Sequence, residues 1–348
     1  MLKENLQKLS EAIGVSGGEK EIRQLIRELV GEKLAELTTD PMGNLSGVLR
    51  GTGAVPGFRV MVAAHMDETG FMVSNVGENG MISVLPVGPL DMRYLITARV
   101  HVGEKKQNGV LLWPPIHKSN GQNAVPGVET VQIDVGADGK GGVSASPGDR
   151  VGLIGAYAEM GAGLVRGKAF NGRAGCAALI GLIDALIAAP LPYDVHFAFT
   201  AQEMIGARGA RVAAHRIDPQ AAFVLRGTEA NDLPRPDNDD SVAVIRLGGG
   251  PAITINDPTF MADRRLVAHL REVAESDNVP YQIDARENGV IGGGLVSFAR
   301  AGVPVGVIGL PVRYMSSPNG LLNLSDLENT IRLLHGALAA LRPETLEN

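Results

Sequence analysis

Val-rich apolar runs that end in polar residues recur along the chain of 348 residues. The run RVMVAAH (59–65) is nearly continuous, which is typical of a strand buried on both faces of a sheet. Similar runs at 194–200, 221–225 and 303–309 are separated by segments with apolar residues at helical spacing. Strands that alternate with helices predict an α/β fold, here a mixed sheet sandwiched by helices.

The hydrophobic pattern changes between about residues 70 and 160. Short Val-rich runs follow one another there, separated by Gly, Pro and Asn and without a helical period, which predicts a small β-barrel-like domain. The α/β pattern resumes after it, so an insertion explains the order better than two domains in tandem. We expect residues 1–68 plus 163–348 to form the α/β domain, and residues 69–162 to form the inserted domain.

Charge and composition exclude several classes of partner. The net charge is −6 and no block of Lys or Arg occurs, which predicts no nucleic acid and no membrane as partner. The most apolar segment, 176–191, is interrupted by Asp184 and too short to span a bilayer, so we expect a buried helix. The single cysteine, Cys176, agrees with a cytoplasmic location. The expected partner is a small-molecule or peptide ligand.

Polar residues follow the predicted strands at five places. In an α/β sheet, ligands bind beyond the carboxyl ends of the strands, so these places are the candidate site. They begin at His65, Asn171, Gln202, Arg226 and Arg313.

Several motifs at and around these places carry a family resemblance. They are VAAHMDETGFMV, WPPIH, PGDRVGL, GKAFNGRAGCAALI, FTAQEMIGARGA and AGVPVGVIGLPVRYMSSP. The chain resembles the glutamyl aminopeptidases that form tetrahedral (TET) dodecamers, a family of two-metal peptidases that includes relatives named endoglucanase. The resemblance implies a zinc-exopeptidase-like fold, two Zn, Co or Mn ions, and an inserted domain for subunit contact. It also implies a homo-oligomer, from a dimer up to a dodecamer.

The resemblance implies five metal ligands, of which this chain keeps only His65. The other four positions carry Asn171, Met204, Arg226 and Ser316. Two divalent ions need anionic ligands around them, whereas these side chains are an amide, a thioether, a guanidinium and a hydroxyl. We therefore expect no dinuclear centre and predict no cofactor.

Two further carboxylates complete the candidate site. Glu203 stands where the family has its general base, and Asp67 where a carboxylate orients the metal-bound His. We expect Arg226 to neutralise both carboxylates in the absence of metals. The resemblance also implies strain at the peptide link between Asn171 and Gly172, because the related enzymes distort the backbone after the bridging aspartate and glycine accepts unusual dihedral angles at low cost.

Structural roles remain as alternatives at four of these positions. His65 also fits a hydrogen-bonded residue at a strand end, and Asn171 precedes a helical pattern as an N-cap would. Glu203 also fits a carboxylate that is paired with an arginine. Met204 also fits the hydrophobic core.

Three functions agree with this pattern. The first is a pseudoenzyme that binds a peptide or a small molecule. The second is a repurposed amide hydrolase that uses Glu203, and the third is a functional metal-dependent aminopeptidase.

Overall fold

The computed structural model describes residues 1–112, 127–161, 163–233, 245–257, 260–285 and 294–347, and the motif WPPIH (113–117) lies outside them. Seven α-helices occur within these ranges: α1 (Leu2–Glu11), α2 (Lys20–Val30), α3 (Phe170–Ala188), α4 (Arg208–Ile217), α5 (Arg264–Ser276), α6 (Gly294–Ser297) and α7 (Leu324–Ala340).

The same ranges contain strands that belong to a large sheet, a barrel or a short hairpin. The sheet strands are β1 (Ala35–Thr39), β2 (Leu45–Leu49), β3 (Arg59–His65), β10 (Ala158–Met160), β11 (Leu164–Gly167), β12 (Asp194–Thr200), β13 (Ala221–Glu229), β14 (Ala252–Thr254), β17 (Gln282–Asp284), β18 (Val305–Arg313) and β19 (Gly320–Asn323). The barrel strands are β4 (Gly70–Val76), β5 (Ile82–Val87), β6 (Arg99–Val102), β7 (Gln107–Leu112), β8 (Gln132–Asp134) and β9 (Arg150–Leu153). The hairpin strands are β15 (Asn256–Asp257) and β16 (Phe260–Met261).

The large sheet is mixed, as predicted. Within the described ranges its order is β1-β2-β12-β3-β13-β18-β19-β11-β10, and β14 and β17 extend it from β18. The central strands β12, β3, β13 and β18 are parallel, so their carboxyl ends meet at one edge of the sheet. Every residue of β3 from Val60 to His65 is buried, which explains its continuous apolar run.

Helix α3 lies against the middle of this sheet. It packs on β3 and β13 on one side and on α1 and α7 on the other. Its length and hydropathy would suffice to cross a membrane, but 72% of its most apolar window is buried inside the protein. The buried helix predicted around 176–191 is thus confirmed, because α3 obtains its apolar surroundings from the protein core.

The inserted segment forms a closed barrel in the order β4-β5-β8-β7-β6-β9. Phe71, Ile82, Val100, Ile133 and Val151 are among the apolar side chains that fill it. The predicted fold class, a mixed α/β sheet with an inserted β-barrel, is confirmed. Strand β10 falls in the range 69–162 but pairs with β11 in the large sheet. The division of the chain at those residues stays a prediction.

Candidate functional site

Two neighbouring cavities lie at the edge of the sheet where β3, β12 and β13 end. Their volumes are about 370 Å³ and about 90 Å³. Both are lined by His65, Asn171 and Met204; the larger adds Glu203 and Arg226, and the smaller adds Asp67 and Ser316. The structure therefore brings all seven predicted site residues into one region. Pro89, from the loop after β5, lines both cavities, so the barrel contributes to their wall.

His65 and Asp67 form a buried pair at the end of β3. Nδ1 of the imidazole lies 3.1 Å from the Asp67 carbonyl oxygen and 3.4 Å from Oδ1 of its carboxylate. Burial alone lowers the pKa of His65, but its hydrogen bond to Asp67 and the charges of Asp67 and Glu203 outweigh this, so the pKa is raised. This contact uses Nδ1 and leaves Nε2 as the imidazole nitrogen available to a ligand.

Asp67 is held by three residues. Its Oδ2 accepts hydrogen bonds from Ser16 Oγ at 2.5 Å and from the Met204 backbone N–H at 3.0 Å. Burial opposes ionisation, but these bonds and His65 keep the pKa of Asp67 below its ordinary value. Asp67 is therefore an ionised carboxylate that joins the end of β3 to the segment carrying Glu203.

Glu203 lies in the turn after β12 and differs from Asp67 in its charge state. The residue is partly exposed, but its Oε2 is buried and has no hydrogen-bond partner among the described residues. Burial raises the pKa of Glu203 to about 8, with Asp67 and Asp257 adding to the rise and His65 and Arg226 opposing it. A carboxyl with this pKa can both hold and release a proton near neutral pH.

Arg226 lies inside β13, which continues past the predicted end at residue 225. Its guanidinium is buried, and its ion pair is with Asp257, at 3.7 Å, rather than with Asp67 or Glu203. The prediction that Arg226 neutralises those two carboxylates is thus wrong about the partner. It acts on Glu203 only as a nearby charge that opposes the rise of that pKa. Asp257 was missed because nothing in the sequence shows which carboxylate folds against β13.

Asn171 is inside the first turn of α3, whose N-cap is Ala169, so the N-cap alternative is wrong. Its Nδ2 lies 3.5 Å from the sulfur of Met204, and its Oδ1 has no partner among the described residues. A Cβ on Gly227 would lie 2.8 Å from the Cα of Asn171. This glycine in β13 therefore lets Asn171 approach the strand.

The backbone strain predicted at Gly172 occurs elsewhere. Gly172 is a helical residue of α3, and a Cβ on it would lie 2.3 Å from the carbonyl oxygen of His65. The glycine is needed for close packing, not for an unusual dihedral angle. Left-handed backbone occurs instead at Ala169, Gln202 and Tyr314, with φ values of 58°, 57° and 54°. Gln202 directly precedes Glu203, and Ala169 and Tyr314 lie two residues before Asn171 and Ser316.

A second buried ion pair, which the sequence did not predict, lies at the wall of the smaller cavity. The Lys168 ammonium donates to both oxygens of Glu68, at 2.7 Å and 2.6 Å, and to the carbonyl oxygen of Ala12. Glu68 also accepts a hydrogen bond from the Gly14 backbone N–H. The cluster therefore joins β3 to the segment between α1 and α2.

Comparison with known proteins identifies the family. The M42 glutamyl aminopeptidase family matches residues 43–333, and the chain belongs to it. The lysyl aminopeptidase of Pyrococcus furiosus is 30% identical over 352 residues, which cover 98% of this chain and 97% of the relative.

Solved structures give the same result. Aminopeptidase APDkam598 from the archaeon Desulfurococcus kamchatkensis has a TM-score of 0.93 and 30% identity, covering 99% of this chain and 96% of that one. The TET1 peptidase of Pyrococcus horikoshii, which can assemble into a tetrahedron or a large octahedral shell, has a TM-score of 0.85 and 28% identity, covering 98% of this chain and 100% of that one.

Family membership overturns the prediction that no cofactor is involved, because M42 aminopeptidases are metal-dependent. The donor atoms around the pocket must therefore be compared with what such a metal requires. No group of three or more His, Cys, Asp or Glu side chains suited to a metal ion occurs among the described residues. The side chains with donor atoms that line the larger cavity include Glu203, the one carboxyl in its lining, and the imidazole, amide, hydroxyl and thioether of His65, Asn171, Thr200 and Met204. This set does not fit a pair of divalent ions.

Proposed function

We propose that this protein binds a peptide or a small molecule in the pocket of His65, Glu203 and Arg226, and that it lacks the two-metal peptide hydrolysis of its family. The observation that carries the proposal is the position of Arg226. Arg226 is 2% exposed and lines the same cavity as His65 and Glu203. A guanidinium is a permanent cation without a lone pair to offer, so the position at which the resemblance implies a metal-binding carboxylate holds no ligand.

The remaining donors support the same conclusion. The resemblance implies carboxylates or imidazole at four positions that here carry Asn171, Met204, Arg226 and Ser316. An amide, a thioether and a hydroxyl are neutral, so they do not offset the charge of two divalent ions. These side chains support a degenerate two-metal centre in a pocket that is still lined by His65 and Glu203.

A second candidate function is a repurposed amide hydrolase. The raised pKa of Glu203 favours it, because a pKa of about 8 suits a general acid or base. General acid–base catalysis contributes about 10²- to 10⁴-fold, whereas enzymes accelerate reactions about 10⁶-fold or more. Glu203 therefore needs other groups that polarise the amide. Metal-dependent aminopeptidase activity stays the alternative, because the chain belongs to the family.

Assembly and location belong to the same proposal. We propose a homo-oligomer, from a dimer up to a dodecamer, because the similar TET1 peptidase can assemble into a tetrahedron or a large octahedral shell and another similar structure is a dodecamer. The barrel supports this with Ile96, Val110 and Leu112, which are 46%, 42% and 45% exposed. A cytoplasmic location is supported by Cys176, the single cysteine, which is buried and reduced.

Hydrolysis of aminoacyl anilides and dipeptides, measured with added Zn²⁺, Co²⁺ or Mn²⁺, tests the proposal. We expect no turnover above background, with the lysyl aminopeptidase of P. furiosus as positive control. Binding of leucinamide and Leu-Gly, measured by calorimetry, is expected and should be lost in Glu203→Gln combined with Arg226→Ala. Turnover that chelators abolish and that disappears in Glu203→Gln would overturn the proposal.

A restoring variant gives the complementary measurement. It combines Asn171→Asp, Met204→Glu, Arg226→Asp and Ser316→His. We expect its metal content, measured by mass spectrometry of the dialysed protein, to rise above that of the parent chain. Equal metal content in both proteins would show that these four positions do not account for the loss.

A further inference from the structure

The turn that carries Glu203 has an unusual backbone. Between β12 and α4, Gln202, Gly206 and Ala207 adopt φ values of 57°, 109° and 50°. A left-handed conformation costs a non-glycine residue about 1–2 kcal/mol. Such a conformation persists only where surrounding contacts hold it, and it occurs preferentially at functional sites.

Asn44 holds both ends of this turn. It lies just before β2 and is completely buried. Its Oδ1 accepts a hydrogen bond from the Ala201 backbone N–H at 2.9 Å, and its Nδ2 donates to the Gly209 carbonyl oxygen at 3.0 Å. A Cβ on Gly209 would lie 2.3 Å from Oδ1 of Asn44, so the glycine permits this contact. Asp40 fixes the orientation of the amide by accepting from its Nδ2 at 2.8 Å.

Glu19 holds the turn near its start, at Gln202. It lies just before α2 and is 4% exposed. Its Oε1 accepts from the Gln202 backbone N–H at 3.1 Å and from the Gly17 backbone N–H at 2.7 Å. Asp67 accepts a hydrogen bond from the backbone N–H of Met204, on the other side of Glu203. The backbone on both sides of Glu203 is thus bound to carboxylates from the first 68 residues of the chain.

We propose that Asn44 and Glu19 are positioning residues, which keep the Glu203 carboxyl at the wall of the larger cavity by holding its turn in the left-handed conformation. The backbone bonds of the turn itself run from Gly206 and Ala207 to the Glu203 carbonyl oxygen, and from Arg208 and Gly209 to the carbonyl oxygens of Gln202 and Ala201. No side-chain partner among the described residues holds Oε2 of Glu203. The place of this carboxyl is therefore determined through its backbone.

The inference rests on the proposed function only in treating Glu203 as a group of the pocket, and its test needs no ligand. A relaxed turn would move the carboxyl into water and lower its pKa from about 8 towards the ordinary value. Difference infrared spectroscopy during a pH titration measures this pKa from the carboxyl C=O band. The band is assigned by its absence in Glu203→Gln.

Four variants separate positioning from stability and from charge. We expect Glu19→Ala and Asn44→Ala to lower the pKa of Glu203 by about one unit or more. Glu19→Gln keeps an acceptor oxygen without the charge and should leave the pKa near that of the parent. Glu28→Ala, which removes an exposed carboxylate of α2, is the matched control.

Thermal unfolding of each variant confirms that the titrated protein is folded. An unchanged Glu203 pKa in a folded Asn44→Ala or Glu19→Ala protein would overturn the proposal, because the contact would then be merely stabilising. An equal shift in Glu19→Gln and Glu19→Ala would also overturn it, since the effect would come from charge alone. Asn44 is neutral, so its variant gives an answer free of that electrostatic effect.

Discussion

At the scale of single residues, the charge of Glu203 couples the site to the stability of the fold. Its pKa is raised from 4.5 to about 8 in the folded chain, so the folded state binds a proton more tightly than the unfolded state does. The resulting stabilisation is complete below about pH 4.5 and is lost as pH rises through about 8. Each pKa unit corresponds to about 1.4 kcal/mol.

We predict that Glu203→Gln removes this pH dependence. The variant should match the parent near pH 5 and be more stable than the parent near pH 9, by up to about 4 kcal/mol. Urea unfolding at a series of pH values measures the difference. Glu28→Gln, on the exposed face of α2, serves as control and should follow the parent at every pH. A constant difference in unfolding free energy between Glu203→Gln and the parent at every pH would contradict the raised pKa of Glu203.

The pair formed by Arg226 and Asp257 leads to a second prediction. Both side chains are buried, so Arg226→Ala leaves a carboxylate in the interior without this cation and should cost about 3–5 kcal/mol of unfolding free energy. Lys3→Ala, which breaks the exposed pair with Glu159, should cost less than about 1 kcal/mol. Arg226→Ala combined with Asp257→Asn should recover part of the loss. A loss no larger than that of Lys3→Ala would contradict the prediction.

The sequence predicted which residues would meet, but not how they pair. His65, Asn171, Glu203 and the other predicted residues were found through strand ends and the family motifs, because parallel strands end at one edge. The partners Asp257 and Ser16 come from segments without a motif, and no pattern in the sequence indicates which side chain a given carboxylate or arginine will contact.

At the scale of elements, the contact between α3 and β3 determines the shape of the pocket. We predict that Gly172→Ala destabilises the protein although alanine is a better helix former by about 1 kcal/mol. A Cβ would lie 2.3 Å from the backbone oxygen of His65, which cannot move without shifting β3. Gly181→Ala, in the same helix, meets the flexible end of Ile331 and is the matched control.

Thermal unfolding of Gly172→Ala and Gly181→Ala, combined with a crystal structure of Gly172→Ala, tests this prediction. We expect a lower melting temperature for Gly172→Ala than for Gly181→Ala, and a displaced His65 ring. Equal melting temperatures would show that α3 can slide along the sheet without cost.

The elements themselves were largely predictable, since a strand buried on both faces and a core helix leave distinct apolar patterns. Strand β13 extends four residues beyond its apolar run, because Arg226 and Thr228 are buried among polar partners. Such a continuation breaks the apolar pattern that sequence reasoning uses. Strand β10 pairs with its neighbour in the sequence, β11, but its own three residues are too few to show a hydrophobic period.

At the scale of the whole molecule, the barrel presents apolar side chains outwards. In β7, Leu111 points into the barrel core, whereas Val110 and Leu112 on either side of it are 42% and 45% exposed. The alternation places these two on one outer face of the strand. An exposed apolar strand face in a family that includes shell-forming members agrees with a contact between copies of the chain.

We predict that Val110→Lys combined with Leu112→Lys lowers the oligomeric state, because two charges would be buried in the contact without partners. Light scattering after size-exclusion chromatography measures the mass, and circular dichroism verifies that each variant is folded. Ile187→Lys, at a similarly exposed position at the end of α3, is the control and should keep the mass of the parent. A parent protein that is monomeric at micromolar concentration, or a double variant with the parent mass, would show that this face of the barrel does not hold an assembly together.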